Sequence, residues 1–252
     1  MNCSIELISI GNELLSGRTL NSHAQTLGAA LTEIGLTLSR DTTIPDDPEI
    51  IQSAVSEAFE RVDVVVISGG LGPTVDDITR EALAGLFERD IVMSPEGLAE
   101  LHKRHADRGH AINPASERMA LILEGAEALI NSAGSAVAQR LDFSDLGKTL
   151  FVLPGPPTEF AAVLNDHLVS WFRKTFPEAV PLELRVMTTQ GIGESDIVTL
   201  LEKENFQYPE LSIGFYPGFG KVEIRLSASP EKKGALDESE RTLRVLLQDY
   251  LI

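Results

Sequence analysis

The chain has 252 residues, 43% of them hydrophobic, and a formal net charge of −17. A chain of this size can bury one large core, or a main core and a smaller second one. The acidity argues against a nucleic-acid partner, because affinity for phosphate backbones comes from clustered Lys and Arg. The one cysteine, Cys3, excludes an internal disulfide and a thiolate-rich metal site, so any metal would need oxygen or imidazole ligands.

The sequence has no run of about 18 apolar residues, and residues 1–10 contain no basic cluster. We therefore expect a cytoplasmic protein without a signal peptide, a membrane span or a membrane partner. The negative charge also sets a condition on ligands. A phosphate ester would be repelled by the protein as a whole, so backbone amides, helix N-termini or a divalent cation must attract it locally.

The first third of the chain predicts strands that alternate with helices. Leu27, Leu31 and Ile34 recur at helical spacing, and Asp47 is placed to cap a helix whose first turn contains Pro48. The continuous apolar run at residues 64–67 is typical of a strand buried on both faces of a parallel sheet. The predicted strands are residues 4–10, 36–43 and 63–68, and the predicted helices are residues 21–34, 48–59 and 77–87.

The pattern weakens between residues 94 and 145, where it predicts a helix at residues 95–108 and short elements around residues 117–123. A strand at residues 149–153 and a helix at residues 158–176 follow. Repeated strand-then-helix units imply right-handed crossovers and helices on both faces of a sheet, which is a three-layer α/β domain. Ligands of such domains bind at the carboxyl ends of the strands.

A polar stretch between Pro177 and Pro181 predicts a linker, and the pattern changes after it. The last part of the chain predicts a strand, a helix, a hairpin and an amphipathic helix, at residues 182–189, 194–203, 211–227 and 236–251. This order is typical of a small α+β domain. We therefore predict a main domain at residues 1–176 and a second domain at residues 181–252.

The most informative segment, residues 68–79, follows the apolar strand. Gly69, Gly70 and Gly72 allow positive φ and close approach of the backbone to a ligand, and the next helix offers free N–H groups to an anion. Asp76 and Asp77 stand where that anion would arrive, which favours a bound cation or an activated water. The alternative is that one aspartate caps the helix and the glycines form a tight turn.

Two other loops place acidic or amide groups at the same edge of the predicted sheet. A capping role explains Asp47 and leaves Asp46 as the spare carboxylate. Glu13 and Asn21 follow the first strand, where a ribose, a base or a metal could bind, although an ordinary surface loop is the favoured explanation for these residues taken alone.

The loop after the last strand of the main domain contains Gly155, Pro156 and Pro157, and Glu159 follows in the first helical turn. The prolines fix the start of the helix, and the helix dipole stabilises a carboxylate at this position. A rigid turn explains this loop without a ligand.

Together these loops resemble the N-terminal domain of the competence/damage-inducible protein A (CinA) family. The resemblance is carried by IGNELL at residues 10–15, GGLGPT at 69–74 with DDIT at 76–79, and LPGPP at 153–157 with Glu159. GIGES at residues 191–195 is similar to the start of that family's KH-like domain. The resemblance covers almost the whole chain, and the long glycine-loop motif is highly specific.

The resemblance implies a MoaB/Mog-like α/β fold in three αβα layers, with a small KH-like α+β second domain. It also implies a homodimer or larger homo-oligomer that hydrolyses ADP-ribose to AMP and ribose 5-phosphate with a divalent metal, Mg²⁺, Mn²⁺ or Co²⁺. By similarity to related adenylyltransferases, Asp46 and Asp77 match catalytic aspartates, with Asp76 as a further metal ligand. The nucleotide pocket implied by the resemblance comprises Glu13, Asn21, Gly69, Gly70, Leu71, Gly72, Thr74, Gly155, Pro156 and Glu159.

The chain departs from the family in several places. His23 stands where asparagine is usual, Val75 where a polar residue is usual, and Arg118-Met119 where a Lys-Gln pair is usual. Residues 134–138 read GSAVA instead of GTAPG. These changes keep the phosphate loop intact and leave the substrate open. The chain also stops before the amidase domain that many members carry, so we expect no amidase activity from it.

Two other functions remain open from the sequence. One is pterin adenylyl transfer, which the shared fold suggests. The other is binding without catalysis, either of a nucleotide or of RNA through the KH-like domain. The RNA version is disfavoured because residues 181–252 contain no Gly-x-x-Gly loop and are acidic on balance.

Overall fold

The structure is a computed structural model that describes residues 3–107, 109, 111–208 and 210–252. The chain divides into two compact units, Met1–Ala179 and Val180–Ile252. Within the described ranges, no helix has the length and apolar character needed to cross a bilayer.

The first unit is built on a mixed sheet. Its strands are β1 (Ile5–Ile10), β2 (Arg40–Ile44), β3 (Val64–Ser68), β4 (Ile91–Met93), β5 (Leu121–Leu123), β6 (Glu127–Leu129), β7 (Ala138–Phe143) and β8 (Lys148–Leu153). Six of them form the sheet β2-β1-β3-β8-β7-β6, and β4 pairs with β5 separately. The first four strands of that order are parallel to one another. β7 then pairs with β8 in the antiparallel direction, and β6 pairs with β7 in the antiparallel direction.

Helices connect the strands and cover the sheet. They are α1 (Asn12–Leu15), α2 (His23–Thr32), α3 (Pro48–Arg61), α4 (Thr79–Phe87), α5 (Pro95–Asp107), α6 (Pro114–Glu117), α7 (Pro157–Val163) and α8 (Val169–Thr175). A π-helical turn at Leu164–Leu168 joins α7 to α8, and a 3₁₀ turn at Arg118–Ala120 joins α6 to β5. Residue 108, which the sequence assigns to the fifth helix, lies outside the described residues.

Alternate residues of the parallel strands enter two separate cores, because side chains on a strand point to opposite faces of the sheet. Val64 and Val66 of β3 pack in the core that contains α2, α7 and α8. Val65 and Ile67 pack in the core that contains α3 and α4. The predicted strand buried on both faces and the predicted three-layer α/β fold are therefore confirmed.

The predicted elements differ from the observed ones mainly at their ends. The second strand begins at Arg40 rather than at residue 36, since Leu36 and Leu38 pack into the core as part of the connection from α2. The fourth helix begins at Thr79 rather than at residue 77. The sequence did not predict β6 and β7, whose residues Glu127 and Asp142 interrupt the apolar pattern.

A buried ion pair joins two elements of the first unit. Glu6 of β1 is fully buried and accepts hydrogen bonds from Nε and Nη2 of Arg61, both at 2.8 Å. The Thr42 hydroxyl donates to the same carboxylate at 3.0 Å. The hydrogen bond to Glu6 raises the pKa of Arg61 above its ordinary value. Arg61 thus balances the charge of a fully buried carboxylate of the sheet.

The second unit is a small α+β domain. Its antiparallel sheet has the order β10-β11-β9, and its helices pack on one face around Met187, Ile197, Ile224 and Leu243. Its elements are β9 (Glu183–Gln190), α9 (Glu194–Lys203), β10 (Ser212–Gly218), β11 (Lys221–Ala228) and α10 (Lys233–Leu246). The predicted order of strand, helix, hairpin and helix is confirmed.

Candidate functional site

A cavity of about 620 Å³ lies at the carboxyl ends of the parallel strands of the first unit. Parallel strands bring the loops after their carboxyl ends to one edge of the sheet, which explains why distant motifs meet here. The loops that follow β1, β2, β3 and β8 all contribute to its wall. Its lining comprises Ile10, Gly11, Glu13, Thr19, Asp46, Gly69, Gly70, Leu71, Gly72, Pro73, Asp76, Asp77, Met119, Ala133, Gly134, Ser135, Ala136, Pro154, Gly155, Pro156, Pro157 and Glu159.

The glycine loop comprises residues 69–74. At its first two positions the backbone has a conformation that only glycine adopts easily. Gly69 has φ of 112° and Gly70 has φ of 68°, both in the region that L side chains rarely occupy. A Cβ atom at Gly69 would overlap the carbonyl oxygen of Ile10, and one at Gly70 would overlap the hydroxyl of Thr79. The loop can therefore follow this path only because both residues lack a side chain.

Asp77 organises the second half of the glycine loop. Its carboxylate accepts hydrogen bonds from the N–H of Gly72 at 2.8 Å and from the N–H of Thr74 at 2.9 Å. The hydroxyl of Thr74 also donates to it at 2.5 Å. The alternative that Asp77 caps α4 is wrong, because the N-cap residue is Ile78 and no side chain caps this helix.

This arrangement changes which amides a ligand can use. The N–H groups of Gly72 and Thr74, which the sequence assigned to phosphate, are already committed to Asp77. Within the described part of the chain, the N–H groups of Gly70 and Leu71 have no hydrogen-bond acceptor. The first half of the loop therefore offers the free donors. Thr74 itself does not line the cavity.

The other loop aspartates have separate partners. Asp47 caps α3 by accepting from the N–H groups of Glu49 and Ile50 at 3.0 and 3.1 Å, which confirms the predicted cap. Asp46 accepts from the N–H of Asn12 at 2.8 Å and stands in the cavity wall. Asp76 lies beside the same Thr74 hydroxyl and shares its single proton with Asp77, and this contact lowers the pKa of the exposed Asp76 carboxyl.

Glu159 is held by a residue that the sequence did not point to. Asn131 is buried and donates from Nδ2 to Glu159 at 2.5 Å, while its Oδ1 accepts from the N–H groups of Ala133 and Gly134 at 3.0 Å. A Cβ at Gly134 would overlap the Glu159 carboxylate. The segment that departs from the family pattern therefore packs directly on a carboxylate of the cavity. Only the turn-forming composition of residues 131–134 hinted at this role.

Asn21 lies outside the cavity wall, unlike Glu13. Its Nδ2 donates to the Thr43 hydroxyl at 3.1 Å, and its Oδ1 accepts from the N–H of His23 at 3.1 Å. Asn21 thus connects the start of α2 to β2 instead of completing the pocket.

The cavity is strongly acidic. Its wall contains five carboxylates and, among its described residues, no Lys, Arg or His; the carboxylates belong to Glu13, Asp46, Asp76, Asp77 and Glu159. No group of three or more His, Cys, Asp or Glu side chains in the described ranges is arranged to hold a metal ion. Mg²⁺ is commonly bound through one or two carboxylates together with substrate phosphates. The residues therefore fit a cation that is shared with a ligand rather than one enclosed by the protein alone.

His23 connects three elements beneath the cavity. Its Nδ1 lies 3.1 Å from the Ser68 hydroxyl, which donates to the carbonyl of Pro154 at 3.1 Å. The imidazole stacks on Phe160 with ring centroids 4.4 Å apart. Burial lowers the pKa of His23 below its ordinary value.

We expect the stability of the first unit to fall as the pH drops below the ordinary histidine pKa of 6.5. In that range the unfolded chain binds a proton that buried His23 does not, so the free energy of unfolding decreases by up to about 1.4 kcal/mol per pH unit. Urea unfolding followed by Trp171 fluorescence at pH 7.5 and 5.5 measures the effect. His23→Asn should remove this part of the pH dependence, and His102→Asn, on an exposed face of α5, should keep it. An unchanged pH dependence in His23→Asn would contradict the prediction.

Comparison with known proteins relates both units to described families. Residues 6–174 match the family described as "Probable molybdopterin binding domain", and residues 184–251 match "Damage-inducible protein CinA KH domain". The chain is 35% identical over 246 residues to a "CinA-like protein" of Gemmatimonas aurantiaca. That alignment covers 95% of this chain and 57% of the relative, so the chain spans little more than half of the relative's length.

A solved structure supports the same relationship. It is the crystal structure of "the protein CinA with unknown function" from Thermoplasma acidophilum, which is 34% identical with a TM-score of 0.60. The match covers 67% of this chain and 98% of that one.

Proposed function

Because the chain belongs to the CinA family, with a molybdopterin-binding domain followed by a CinA KH domain, we propose that it hydrolyses a nucleotide pyrophosphate such as ADP-ribose with a divalent cation. The products would be AMP and ribose 5-phosphate.

The proposal rests on one observation. The described cavity wall combines free loop amides with five carboxylates and contains no cationic side chain. Two like charges 4 Å apart repel by about 4 kcal/mol at the effective dielectric typical of protein surfaces. A bare phosphate would therefore be disfavoured by each nearby carboxylate. A pyrophosphate that arrives with a divalent cation would be attracted by the same groups.

The residues have distinct roles in this proposal. The N–H groups of Gly70 and Leu71 would bind a phosphate oxygen, as backbone amides at a loop before a helix commonly do. Asp77, fixed by its hydrogen bonds, would hold the cation together with Asp76 and the phosphate oxygens of the ligand. When bound, the cation would neutralise the phosphate oxygens and make water more acidic.

Hydrolysis then requires water to attack one phosphorus while the bond to the bridging oxygen breaks. The bridging oxygen leaves with the other phosphate, and the proton of the water passes to a carboxylate. Asp46 is suited to accept it, because its observed hydrogen bond from Asn12 engages only Oδ2. A positioned carboxylate of this kind contributes typically about 100-fold to 10,000-fold to a rate.

The direct test is incubation with ADP-ribose and Mg²⁺, Mn²⁺ or Co²⁺, followed by chromatographic measurement of AMP. We expect equal amounts of AMP and ribose 5-phosphate, and no product after chelation of the metal by EDTA. An Asp77→Asn protein purified in the same way controls for contaminating hydrolases. Absence of product with all three ions would overturn the proposal.

A second candidate follows from the family description, which names molybdopterin. The same cavity could hold a pterin phosphate, with adenylyl transfer or simple binding as its role. Competition between molybdopterin and ADP-ribose discriminates between the two ligands. The resemblance also leads us to propose a homodimer or larger assembly in the cytoplasm, which light scattering and cell fractionation would test.

A further inference from the structure

Arg80 is the second residue of α4 and lies directly behind the glycine loop. Its side chain is fully buried. Nη1 donates to the carbonyl of Leu71 at 3.0 Å, and Nη2 donates to the carbonyl of Gly72 at 3.1 Å. Nε has no hydrogen-bond partner, and none of the ion pairs found in the described ranges includes Arg80.

A buried arginine without a carboxylate partner is an unusual choice for a core position. The guanidinium keeps its proton in proteins, and a buried charge is costly unless it is paired. Burial lowers the pKa of Arg80 and the neighbouring Arg118 adds to the effect, whereas the nearby carboxylates of Glu81 and Asp77 oppose it. Two carbonyl dipoles balance the charge only in part. The nearby carboxylates of Asp77 and Glu81 supply part of the remaining balance.

The hydrogen bonds of Arg80 also set the direction of a loop amide. In a trans peptide the C=O of one residue and the N–H of the next point in opposite directions. Because the Leu71 carbonyl points at Arg80, the N–H of Gly72 must point away from it, and there it donates to Asp77. Arg80 therefore acts on Asp77 through a single peptide group.

Thr79 acts on the loop in the same way. It is fully buried, and its hydroxyl donates to the carbonyl of Gly69 at 2.9 Å. The N–H of Gly70, which belongs to the same peptide group, must therefore point away from α4. This is one of the two loop amides without an acceptor among the described residues.

We propose that Arg80, together with Thr79, is a positioning residue that holds the glycine loop from behind. The pair directs the N–H of Gly70 towards an anionic ligand and the N–H of Gly72 towards Asp77. The unpaired charge of Arg80 also offsets part of the negative charge of the cavity. The identity of the ligand rests on the proposed function, whereas the orientation of the loop does not.

Two variants separate charge from geometry. Arg80→Met keeps the bulk of the side chain but removes the charge and both hydrogen bonds. Arg80→Lys keeps the charge but cannot bridge both carbonyls in the same fork. Arg118→Met is the matched control, because it makes the same change in net charge at a partly exposed arginine that pairs with Glu81.

The first measurement is the kinetics of ADP-ribose hydrolysis with Mg²⁺. In Arg80→Met we expect KM to rise roughly tenfold or more and kcat to fall, since the loop loses two hydrogen bonds at Leu71 and Gly72 and Asp77 loses its orientation. Arg80→Lys should recover part of KM but not kcat. Arg118→Met should change each constant less than about twofold, as is usual for a surface charge. A role in stability alone would lower the folded fraction, and with it the apparent kcat, but would leave KM unchanged.

The second measurement needs no substrate. In protein labelled with ¹⁵N-glycine, the amide resonance of Gly72 should shift in both Arg80 variants, and that of Gly191 in the second unit should not. If wild-type protein hydrolyses nothing, the proposed function fails, and this spectrum still tests the loop. An unchanged Gly72 resonance in a folded Arg80→Met protein overturns the inference. If Arg80→Met does not fold, the same measurement on Arg80→Lys decides.

Discussion

Asp77→Asn is expected to lower the turnover of ADP-ribose by about 100-fold or more, with little change in thermal stability. The carboxylate accepts hydrogen bonds from Gly72 N–H, Thr74 N–H and the Thr74 hydroxyl. Asparagine keeps one acceptor oxygen, turns a donor towards the loop amides and removes the charge that would hold the cation. Stability should change little, because Asp77 is partly exposed, does not cap α4, and bonds only to the loop that it lies in.

Asp47→Asn provides the matched control for this experiment. It makes the same chemical change in a loop at the same edge of the sheet, at a residue that caps α3 and does not line the cavity. Asparagine caps a helix about as well as aspartate, so activity and stability should both stay close to wild type. Full turnover in Asp77→Asn would contradict the assignment of Asp77. So would a fall in stability large enough to account for the lost turnover by unfolding.

Arg61→Ala is expected to reduce the free energy of unfolding of the first unit by about 3–5 kcal/mol. The substitution leaves the fully buried carboxylate of Glu6 with only the Thr42 hydroxyl as a side-chain donor. Breaking a buried pair from one side is costly because the remaining charge stays out of water. Urea unfolding followed by fluorescence measures the loss, since the single tryptophan, Trp171, lies in the first unit.

Arg118→Ala is the control for the ion-pair prediction. Arg118 pairs with Glu81 at 2.9 Å, but both side chains are more than a third exposed, at 35% and 44%. Exposed pairs contribute about 0–1 kcal/mol, so this variant should unfold nearly like wild type. Combining Arg61→Ala with Glu6→Gln should recover part of the stability, because glutamine carries no charge. Equal losses in Arg61→Ala and Arg118→Ala would contradict the prediction.

The sequence predicted well those features that local chemistry determines. The continuous apolar run of β3 signals a doubly buried strand by itself, and Asp47-Pro48 signals a helix start by itself. The glycine loop was recognisable because its unusual φ values require glycine at Gly69 and Gly70. Its carboxylates could be placed near one another because the topology of a parallel sheet gathers the loops that follow its strands.

The features that the sequence did not predict depend on tertiary contacts. Asn131 matters because it meets Glu159, which is 28 positions later in the chain. Arg80 looks like an ordinary solvent-facing residue of an amphipathic helix, and only the folded loop makes its burial visible. The predicted helix began at Asp77, whereas α4 begins at Thr79 and the Asp77 carboxylate turns back to the loop.

The strand order also sets the distance between two opposite walls of the cavity. Asp46 follows β2 and Glu159 follows β8, and two strands, β1 and β3, lie between them. Neighbouring strands are about 4.8 Å apart, so these two loops stand on strands separated by roughly 14 Å. A ligand that touches both walls must therefore be an extended molecule with polar groups at its two ends, and a single phosphate can contact only one side.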